Sequence, residues 1–411
     1  MSPPSGKKGK GKKRKRESES DKENQPKKKI TTISDVEKNI SSPASSHVQD
    51  HVPSKHRSGG QKRKLQKEEE EAYKKLKLDD DGASTSTSTI APRGLARFAF
   101  HQVLGRGAFG SVYLASLKDK KSTVAIKAIA KKEEDTLLLR EKRVLQRLAG
   151  NPYICRLFAT FQTSSYAFMV MELLPGGNLE NKLQEQGRLD DKTTALCTAQ
   201  IICGLQHMHK HGIIHRDLKT ANITIDHKGN IRICDFGLAV ENVYGAETIF
   251  EGAGTPYYKA PEMLNFKPYG SSADWWSFGI LLYRLLTNTY PYAECKTVYK
   301  LWQMMQKRKP IYPDYLSEEA KDILPKLLCH EHRIRLGYFG DIRQHPFYTN
   351  IDWEKVENNT IDPPFPPWMD TCPSTSLLSD LPFFRDLEGE CSHPAVKAIP
   401  EFSHEDPDWP L

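Results

Sequence analysis

The sequence HRDLKTAN, at residues 215–222, constrains the fold more than any other part of the chain. It follows an amphipathic segment over residues 193–211, which predicts a helix, and it precedes an apolar segment over residues 231–234, which predicts a strand. Asp217 therefore lies on a loop, and Asp235 follows it by 18 residues, directly after the strand. We expect these two carboxylates to converge on one site.

The residue types around these carboxylates suit phosphoryl transfer. Asp217 can accept the proton of an incoming hydroxyl group, and Lys219 can neutralise the transferred phosphate. Asn222 and Asp235 offer oxygen ligands to Mg²⁺, which is a hard cation. This reaction depends mainly on positioning and on neutralising charge, so such a set of groups is what it needs.

A glycine-rich turn precedes this loop in the chain. Residues 98–115 read FAFHQVLGRGAFGSVYLA, with apolar residues on either side of Gly105, Gly107 and Gly110. Glycines allow a backbone to approach phosphate groups closely. A dinucleotide-binding turn has the same three glycines but leads into a helix, whereas residues 111–114 here continue as a strand. The pattern predicts a phosphate-binding β-hairpin.

Lys127 ends the next predicted strand, over residues 122–127, and needs an anionic partner to fix its ammonium group. The following predicted helix, over residues 133–148, supplies Glu141. A glutamate on an otherwise apolar helix face is costly unless it is paired, so we expect it to pair with Lys127. The predicted face consists of Leu137, Glu141, Val144, Leu145 and Leu148.

Taken in order, these motifs resemble the eukaryotic protein kinase superfamily over residues 98–347. The resemblance implies an α+β, bilobal protein-kinase fold, with a β-rich N-lobe over residues 98–172 and a mainly helical C-lobe over residues 176–347. It also implies ATP and Mg²⁺ as cofactors. The implied nucleotide-binding residues are Leu104, Gly105, Gly107, Gly110, Val112, Ala125, Lys127, Glu141, Met171 and Glu172.

Further motifs refine the resemblance. Lys219 and the sequence GTPYY at residues 254–258 resemble the serine/threonine type. Five motifs resemble those of the AGC group: DWWSFG (residues 274–279), RLG (335–337), HPF (345–347), IDW (351–353) and IDPPF (361–365). His215 and the dipeptide at residues 220–221 depart from that group and leave an Aurora-like or polo-like affinity open. The same resemblance implies that Glu262 pairs with Arg335.

Two departures bear on substrate choice and regulation. Where cyclic-nucleotide-dependent kinases use three acids to bind substrate arginines, this chain has Asn178, Ala221 and Arg284. We therefore expect no requirement for arginine two or three residues before the target, and a preference for acidic or neutral residues there. Glu251 stands where many relatives carry a phosphorylated threonine, so we expect it to pair with Arg216 and to give basal activity.

The basic charge belongs to residues 1–92. They hold 22 Lys+Arg and 14 Asp+Glu, whereas residues 93–411 hold 38 of each. This composition predicts a disordered arm. The sequence KKGKGKKRKR at residues 7–16 predicts recognition by a nuclear import receptor, with nuclear and also cytoplasmic location, and weak nucleic-acid contact. The sequence KEN at residues 22–24 resembles a degron read by a ubiquitin ligase and favours a cell-cycle-regulated protein.

The C-terminal tail, residues 351–411, is rich in proline, aspartate and aromatic residues. Phe383, Phe384 and residues 409–411 are candidates for docking on the N-lobe, with binding to another protein as the alternative. No apolar run is long enough to span a bilayer, and we expect a soluble intracellular protein.

The sequence thus predicts a protein serine/threonine kinase that acts on protein substrates. Two other interpretations stay open at this point. A pseudokinase scaffold would hold partners without catalysis. A nucleic-acid-binding protein with a kinase-like body would depend on the arm alone.

Overall fold

The computed structural model of this protein describes residues 94–107, 110–118, 122–132, 136–293, 295, 297–368, 377–378, 381 and 398–407. The arm, residues 1–92, lies outside the described residues, and so do the predictions for nuclear import, nucleic-acid contact and the degron. Phe383, Phe384 and residues 409–411 also lie outside them.

A six-stranded antiparallel sheet forms the core of the N-lobe. Its strands are β1 (Phe98–Gly107), β2 (Gly110–Leu117), β3 (Thr123–Ala130), β4 (Leu157–Gln162), β5 (Tyr166–Met171) and β8 (His404–Glu405). They lie in the order β1-β2-β3-β5-β4-β8. The predicted hairpin is present, since Gly107 is paired with Gly110. Gly110 has φ of 130°, and a Cβ there would lie 2.3 Å from the Ala128 carbonyl oxygen. Only glycine therefore suits this position.

Helix α1 (Thr136–Arg147) packs beside the sheet and carries Glu141 on its buried face. Leu137 was predicted on that face, but the prediction is wrong because its side chain is 44% exposed. Leu138, which lies three residues before Glu141, is buried instead. The helix is therefore turned slightly from the predicted orientation, and Glu141 stays inside.

The C-lobe is mainly helical, and the fold as a whole is α+β, as predicted. Its helices are α2 (Leu179–Gln186), α3 (Asp191–Lys210), α4 (Pro261–Leu264), α5 (Ser272–Thr287), α6 (Val298–Lys307), α7 (Glu318–Leu327) and α8 (Trp353–Glu357). A two-stranded ribbon, β6 (Ile223–Ile225) and β7 (Ile231–Ile233), lies between α3 and α4 in the chain. Short 3-10 turns are Leu95–Arg97, Thr220–Asn222, Pro256–Tyr258, His332–Ile334, Ile342–Gln344 and Pro346–Tyr348.

Helix α5 is the centre of the C-lobe, because all of its residues are buried. Such a helix needs apolar residues on every side, which its sequence supplies. Helix α3 packs against it and begins at the cap residue Asp190, which accepts a 2.8 Å hydrogen bond from the Thr193 backbone. No helix within the described residues combines the length and hydrophobicity that a membrane span requires.

The C-terminal tail returns to the N-lobe. Ile399 and Phe402 are buried in the same apolar cluster as Leu138, and β8 extends the sheet beside β4. The Arg156 guanidinium pairs with Asp406 at 2.8 Å. Docking of the tail was expected, but the docked segment, residues 398–406, is one that the sequence analysis did not single out.

We predict that Phe402→Ala weakens this docking. The side chain is fully buried, and a large-to-small change there should cost up to about 3 kcal/mol in the free energy of unfolding, limited by detachment of the tail. Thermal unfolding should show a lower Tm, and amides of β4 should exchange faster with solvent. Phe339→Ala is the control, because Phe339 is 65% exposed. Equal Tm values for the two variants would contradict the prediction.

Candidate active site

A buried ion pair joins the sheet to α1. The Lys127 ammonium lies 2.7 Å from Glu141 and 3.2 Å from Asp235. Burial by itself would lower the pKa of Lys127, but the two carboxylates outweigh burial and hold this pKa above its ordinary value. The expected pairing with Glu141 is therefore present, and Lys127 is charged between two acids that come from different parts of the chain.

Asp217 is held by several donors from its own loop and from residues 235–262, which we call the activation segment. Its Oδ1 accepts hydrogen bonds from the backbone and hydroxyl of Thr255, at 2.8 and 2.7 Å. Its Oδ2 lies 3.0 Å from the Lys219 ammonium and 3.2 Å from the Asn222 amide nitrogen. These bonds fix the direction of the carboxylate. Thr255 is a positioning residue that the sequence analysis did not assign.

Asp274, at the start of α5, binds the backbone of the loop at residues 215–222. Its carboxylate accepts hydrogen bonds from the backbones of His215 (2.9 Å) and Arg216 (3.0 Å), and it lies 2.9 Å from a ring nitrogen of His209. Burial alone would raise the pKa of Asp274, but these partners hold it below the ordinary value. Arg216 has φ of 67°, a strained conformation for this residue type. We infer that Asp274 stabilises this strained backbone.

The sequence analysis cited Asp274 only as part of a group signature. The signal that would have identified it is an acid within the apolar sequence DWWSFG, because a buried carboxylate requires partners.

The candidate metal ligands fit a cation that is shared with a nucleotide. Asn222 uses its amide nitrogen to donate to the Asp217 carbonyl at 2.8 Å, which leaves its amide oxygen for a cation. Asp235 contributes a carboxylate. Within the described residues no cluster of three or more His, Cys, Asp or Glu side chains is arranged for a metal. Two protein oxygens suit Mg²⁺ when phosphate and water complete its shell.

The implied phosphate-binding glycines lie in the β1–β2 hairpin. Gly105 is paired with Val112, and a Cβ at Gly105 or Gly107 would meet nothing within 4 Å, so the turn leaves open space beside it. The other implied nucleotide-binding positions are Leu104, which is 44% exposed, Ala125, which is buried on β3, and Met171, which ends β5.

Glu172 follows β5 and is also among the implied nucleotide-binding positions. Its carboxylate is occupied by the Arg156 backbone (2.8 Å) and by Arg232 (3.3 Å). Any contact of this segment with adenine would therefore come from its backbone.

Glu251 of the activation segment forms an ion pair with the loop at residues 215–222. Its carboxylate lies 2.7 Å from the Arg216 guanidinium, as expected, and this hydrogen bond lowers the pKa of Glu251. The Tyr269 hydroxyl donates to the Glu251 carbonyl at 2.8 Å. The Glu251 side chain is 51% exposed, so the pair is partly screened by water.

A second set of contacts ties the activation segment to α1. Arg143 and Arg147 lie one helical turn apart and approach the Glu241 carboxylate at 2.7 and 3.6 Å. Arg147 also donates to the side chains of Asn242 (3.0 Å) and Tyr244 (3.1 Å). The sequence analysis did not predict these contacts, which hold α1 close to the segment that begins at Asp235.

Arg284, one of the three positions expected to disfavour substrate arginine, is neutralised. Its guanidinium forms an ion pair with Glu180 and lies over the Tyr290 ring, 4.3 Å from the centroid. Glu180 also accepts a hydrogen bond from the Thr220 hydroxyl. Asn178 caps α2 by accepting a 2.9 Å bond from the backbone of Asn181. The pairing with Glu180 was not predicted, so the positive charge expected at Arg284 was too high.

The implied pairing of Glu262 with Arg335 is present. Arg335 is fully buried and donates to both carboxylate oxygens of Glu262, at 2.8 and 3.0 Å. The rings of His215 and Phe236 are tilted by 52° with their centroids 5.0 Å apart, and Phe236 belongs to the apolar cluster that includes Leu145.

Comparisons with known proteins agree with this geometry. The family model described as protein kinase domain matches residues 98–348. The chain is 42% identical over 275 residues to protein kinase C delta type from Homo sapiens, which covers 66% of this chain and 40% of that protein. It is 39% identical over 312 residues to a putative protein kinase C delta type homolog from Drosophila melanogaster, covering 73% and 46% of the two chains. With protein kinase C eta type from Mus musculus, it shares 34% identity over 297 residues, covering 70% and 43%. The chain thus spans less than half the length of these relatives.

Proposed function

This chain belongs to the protein kinase domain family, and we propose that it is an ATP-dependent kinase of serine and threonine hydroxyls in protein substrates. The observation that carries this proposal is the placement of Asp217. Its carboxylate is oriented by Thr255, Lys219 and Asn222, and the Cys234 backbone donates to the Asn222 carbonyl at 2.9 Å, which brings Asp235 next to this loop.

The roles follow from this placement. Asp217 accepts the proton of the substrate hydroxyl, and Lys219 neutralises charge on the phosphate that is transferred. Lys127, held by Glu141, binds the nucleotide phosphates, and Asn222 with Asp235 would hold Mg²⁺. Bound ATP and Mg²⁺ would supply the phosphoryl group and part of the charge compensation. The glycine-rich turn leaves room for the phosphates beside it.

A pseudokinase scaffold, which holds partners without catalysis, would not need these side chains to be fixed in position. In the described residues, each acid and amide of the proposed site makes the hydrogen bonds that fix its direction, and the Lys127–Glu141 pair is closed. This completeness favours catalysis over the scaffold.

We predict that the purified chain transfers the γ-phosphate of Mg²⁺-ATP to a peptide library. Asp217→Asn should lower kcat by about a thousandfold, because a general base is lost. Lys127→Arg should also lower kcat, since a guanidinium does not fit the space of an ammonium between two carboxylates. Asp314→Asn, at an exposed position, is the control. Equal incorporation of phosphate by wild type and Asp217→Asn would contradict the assignment.

We also propose that Glu251 replaces loop phosphorylation. One carboxylate faces one guanidinium at Arg216, so the local charge is already balanced without a phosphate. Tyr269 holds the backbone of Glu251 in place. The chain should therefore have substantial basal activity.

Phosphatase-treated wild type should keep its kcat, whereas Glu251→Gln should lower kcat about tenfold, because one charge-assisted hydrogen bond is removed. Glu319→Gln, on the exposed side of α7, is the matched control. The measurement is kcat on one peptide with mass spectrometry of the loop. Activity that depends on phosphate at a loop threonine would contradict the role of Glu251.

For the substrate, we propose that arginine upstream of the target is not required. The Arg284–Glu180 pair carries no net charge and Asn178 is neutral, so this part of the surface offers no unpaired carboxylate to a substrate guanidinium. A guanidinium would lose hydration there without compensation.

Arg284→Glu should reverse this behaviour. It would place two carboxylates together, at residues 180 and 284, and kcat/KM for a peptide with upstream arginine should rise about tenfold relative to its alanine counterpart. Arg188→Glu, at an exposed position before α3, is the control. Strong selection of upstream arginine by the wild type in a positional peptide library would contradict the proposal.

Within the family, we propose an AGC-like affinity rather than an Aurora-like or polo-like one. Two observations support it. The relatives named above are protein kinase C types, and the C-terminal tail packs against the N-lobe through Ile399 and Phe402.

For the arm, we propose nuclear import through residues 7–16 and regulated destruction through residues 22–24, both from sequence alone. A fluorescent fusion should lose its nuclear signal when the lysines and arginines of residues 7–16 become alanine. Alanines at residues 22–24 should lengthen the half-life of the fusion as cells leave mitosis. An unchanged distribution or an unchanged half-life would contradict the respective proposal.

A further inference from the structure

Two cysteines lie side by side next to the proposed metal ligands. Ile154 and Ile233 form a parallel β-bridge. In this bridge the Cys155 backbone donates to the Ile233 carbonyl at 3.0 Å, and the Ile233 backbone donates to the Tyr153 carbonyl at 2.9 Å. Paired residues in parallel strands point to one face, and the residues that follow them point to the other. Cys155 and Cys234 each follow a paired residue, so their side chains lie on the same face.

The spacing of this pair suits a disulfide. Neighbouring strands lie about 4.8 Å apart, and the Cα atoms of two disulfide-bonded cysteines usually lie about 4.4–6.8 Å apart. The two thiols also interact, because a hydrogen bond with the Cys234 thiol, together with burial, raises the pKa of the Cys155 thiol. Both cysteines are free. A disulfide between them therefore requires no large movement of either backbone.

Helix α3 holds the two segments together from behind. It packs on the bridge at Gly204, where a Cβ would lie 2.7 Å from the Ile233 side chain and 3.5 Å from the Tyr153 carbonyl oxygen. The bridge and the helix thus fix both segments that carry the cysteines. Two groups held at a fixed short distance react with each other much faster than two mobile ones.

The two cysteines differ in access to solvent. Cys155 is 6% exposed, whereas Cys234 is half-buried and precedes Asp235, whose side chain is 38% exposed. A small oxidant that enters the proposed site therefore meets Cys234 first. Cys155 is then the thiol that completes the reaction.

We propose that Cys155 and Cys234 form a regulatory disulfide by exchange with a small-molecule disulfide such as oxidised glutathione, and that this bond lowers kinase activity. The regulatory part rests on the proposed kinase function. The Cys234 sulfur attacks the small disulfide, forms a mixed disulfide and releases one thiol. The Cys155 sulfur then displaces the second thiol. Two electrons pass from the two cysteines to the small disulfide, and the two cysteine protons end on the released thiols.

The bond would disturb both proposed metal ligands. The Cys234 sulfur now lies 2.8 Å from the Thr224 hydroxyl of β6, and β6 and the bridge lie on opposite sides of β7. Bonding to Cys155 would turn this sulfur away from Thr224. The Cys234 backbone donates to the Asn222 carbonyl at 2.9 Å and continues directly into Asp235, which has φ of 60°. A shift of Cys234 therefore moves the segments that carry both ligands.

The test uses the full chain equilibrated with mixtures of reduced and oxidised glutathione, after which free thiols are blocked by alkylation. Mass spectrometry of an unreduced digest should show the peptides of Cys155 and Cys234 linked. The kcat/KM for Mg²⁺-ATP should fall at least about tenfold, as is usual when partners of metal ligands are disturbed, and dithiothreitol should restore it. The loss should follow the square of the reduced glutathione concentration, because each disulfide formed releases two thiols.

Variants then assign the effect. Cys155→Ser and Cys234→Ser should each keep their activity over the whole range of mixtures, and reduced Cys155→Ser should match reduced wild type. Each variant is judged by its ratio of oxidised to reduced activity, which does not depend on the absolute rate. Cys329→Ser, at another half-buried free cysteine, is the matched control and should lose activity as wild type does.

Three results would overturn the inference. The first is the absence of the linked peptides in the most oxidising mixture, and the second is their presence with unchanged kcat/KM. The third is equal sensitivity of Cys155→Ser and wild type, which would show a mixed disulfide at one cysteine. Failure of the kinase function itself would look different, because the reduced chain would phosphorylate no peptide while the linked peptides would still appear.

Discussion

The buried ion pair between Lys127 and Glu141 is the interaction on which the rest of the site depends. Removing either partner would leave an uncompensated buried charge, at a cost of about 3–5 kcal/mol. The 2.7 Å contact also requires two elements to be in place at once. Lys127 is fixed by the pairing of β3 with β2 and β5, whereas Glu141 moves with α1. The distance between them therefore reports the position of the whole helix.

Helix α1 is held from two sides. Phe402 and Ile399 of the tail join the apolar cluster that includes its buried face, and Arg143 and Arg147 join it to Glu241 of the activation segment. Single exposed ion pairs contribute only about 0–1 kcal/mol each, so it is their combination with apolar packing that can hold a helix.

The activation segment is attached to the loop at residues 215–222 through Glu251 and Thr255. Gly254 lies between them with φ of 89°, and a Cβ there would lie 2.2 Å from the Arg216 carbonyl oxygen. This close backbone approach is possible because the residue is glycine. All of these contacts are made by unmodified side chains, which is the physical basis for proposing activity without phosphorylation.

The proposed catalytic and metal-binding residues could be predicted from the sequence, because phosphoryl transfer requires fixed residue types at fixed spacings. It also placed the helix that carries Glu141, although a deviation of one residue put Leu137 on the wrong side. Partners from distant parts of the chain could not be predicted. Glu180 neutralises Arg284 from 104 residues away, and no local pattern marks that pairing.

The docked tail was missed for a related reason. Two adjacent phenylalanines, Phe383 and Phe384, were a stronger local signal than the isolated Ile399 and Phe402. Burial of Ile399 and Phe402 depends on contacts with β4 and α1, which are distant in the chain. For Asp274, the sequence predicted only the motif that contains it and not its role. That role is to accept hydrogen bonds from a loop that lies 58 and 59 residues earlier in the chain.

We propose that the site is already assembled in the unphosphorylated chain. A crystal structure of phosphatase-treated protein with Mg²⁺ and a non-hydrolysable ATP analogue tests it most directly. We expect Lys127 within hydrogen-bond distance of Glu141, Arg216 paired with Glu251, and Mg²⁺ bound by Asn222 and Asp235. A structure in which α1 is displaced, Glu141 points to solvent and Glu251 is separated from Arg216 would contradict it.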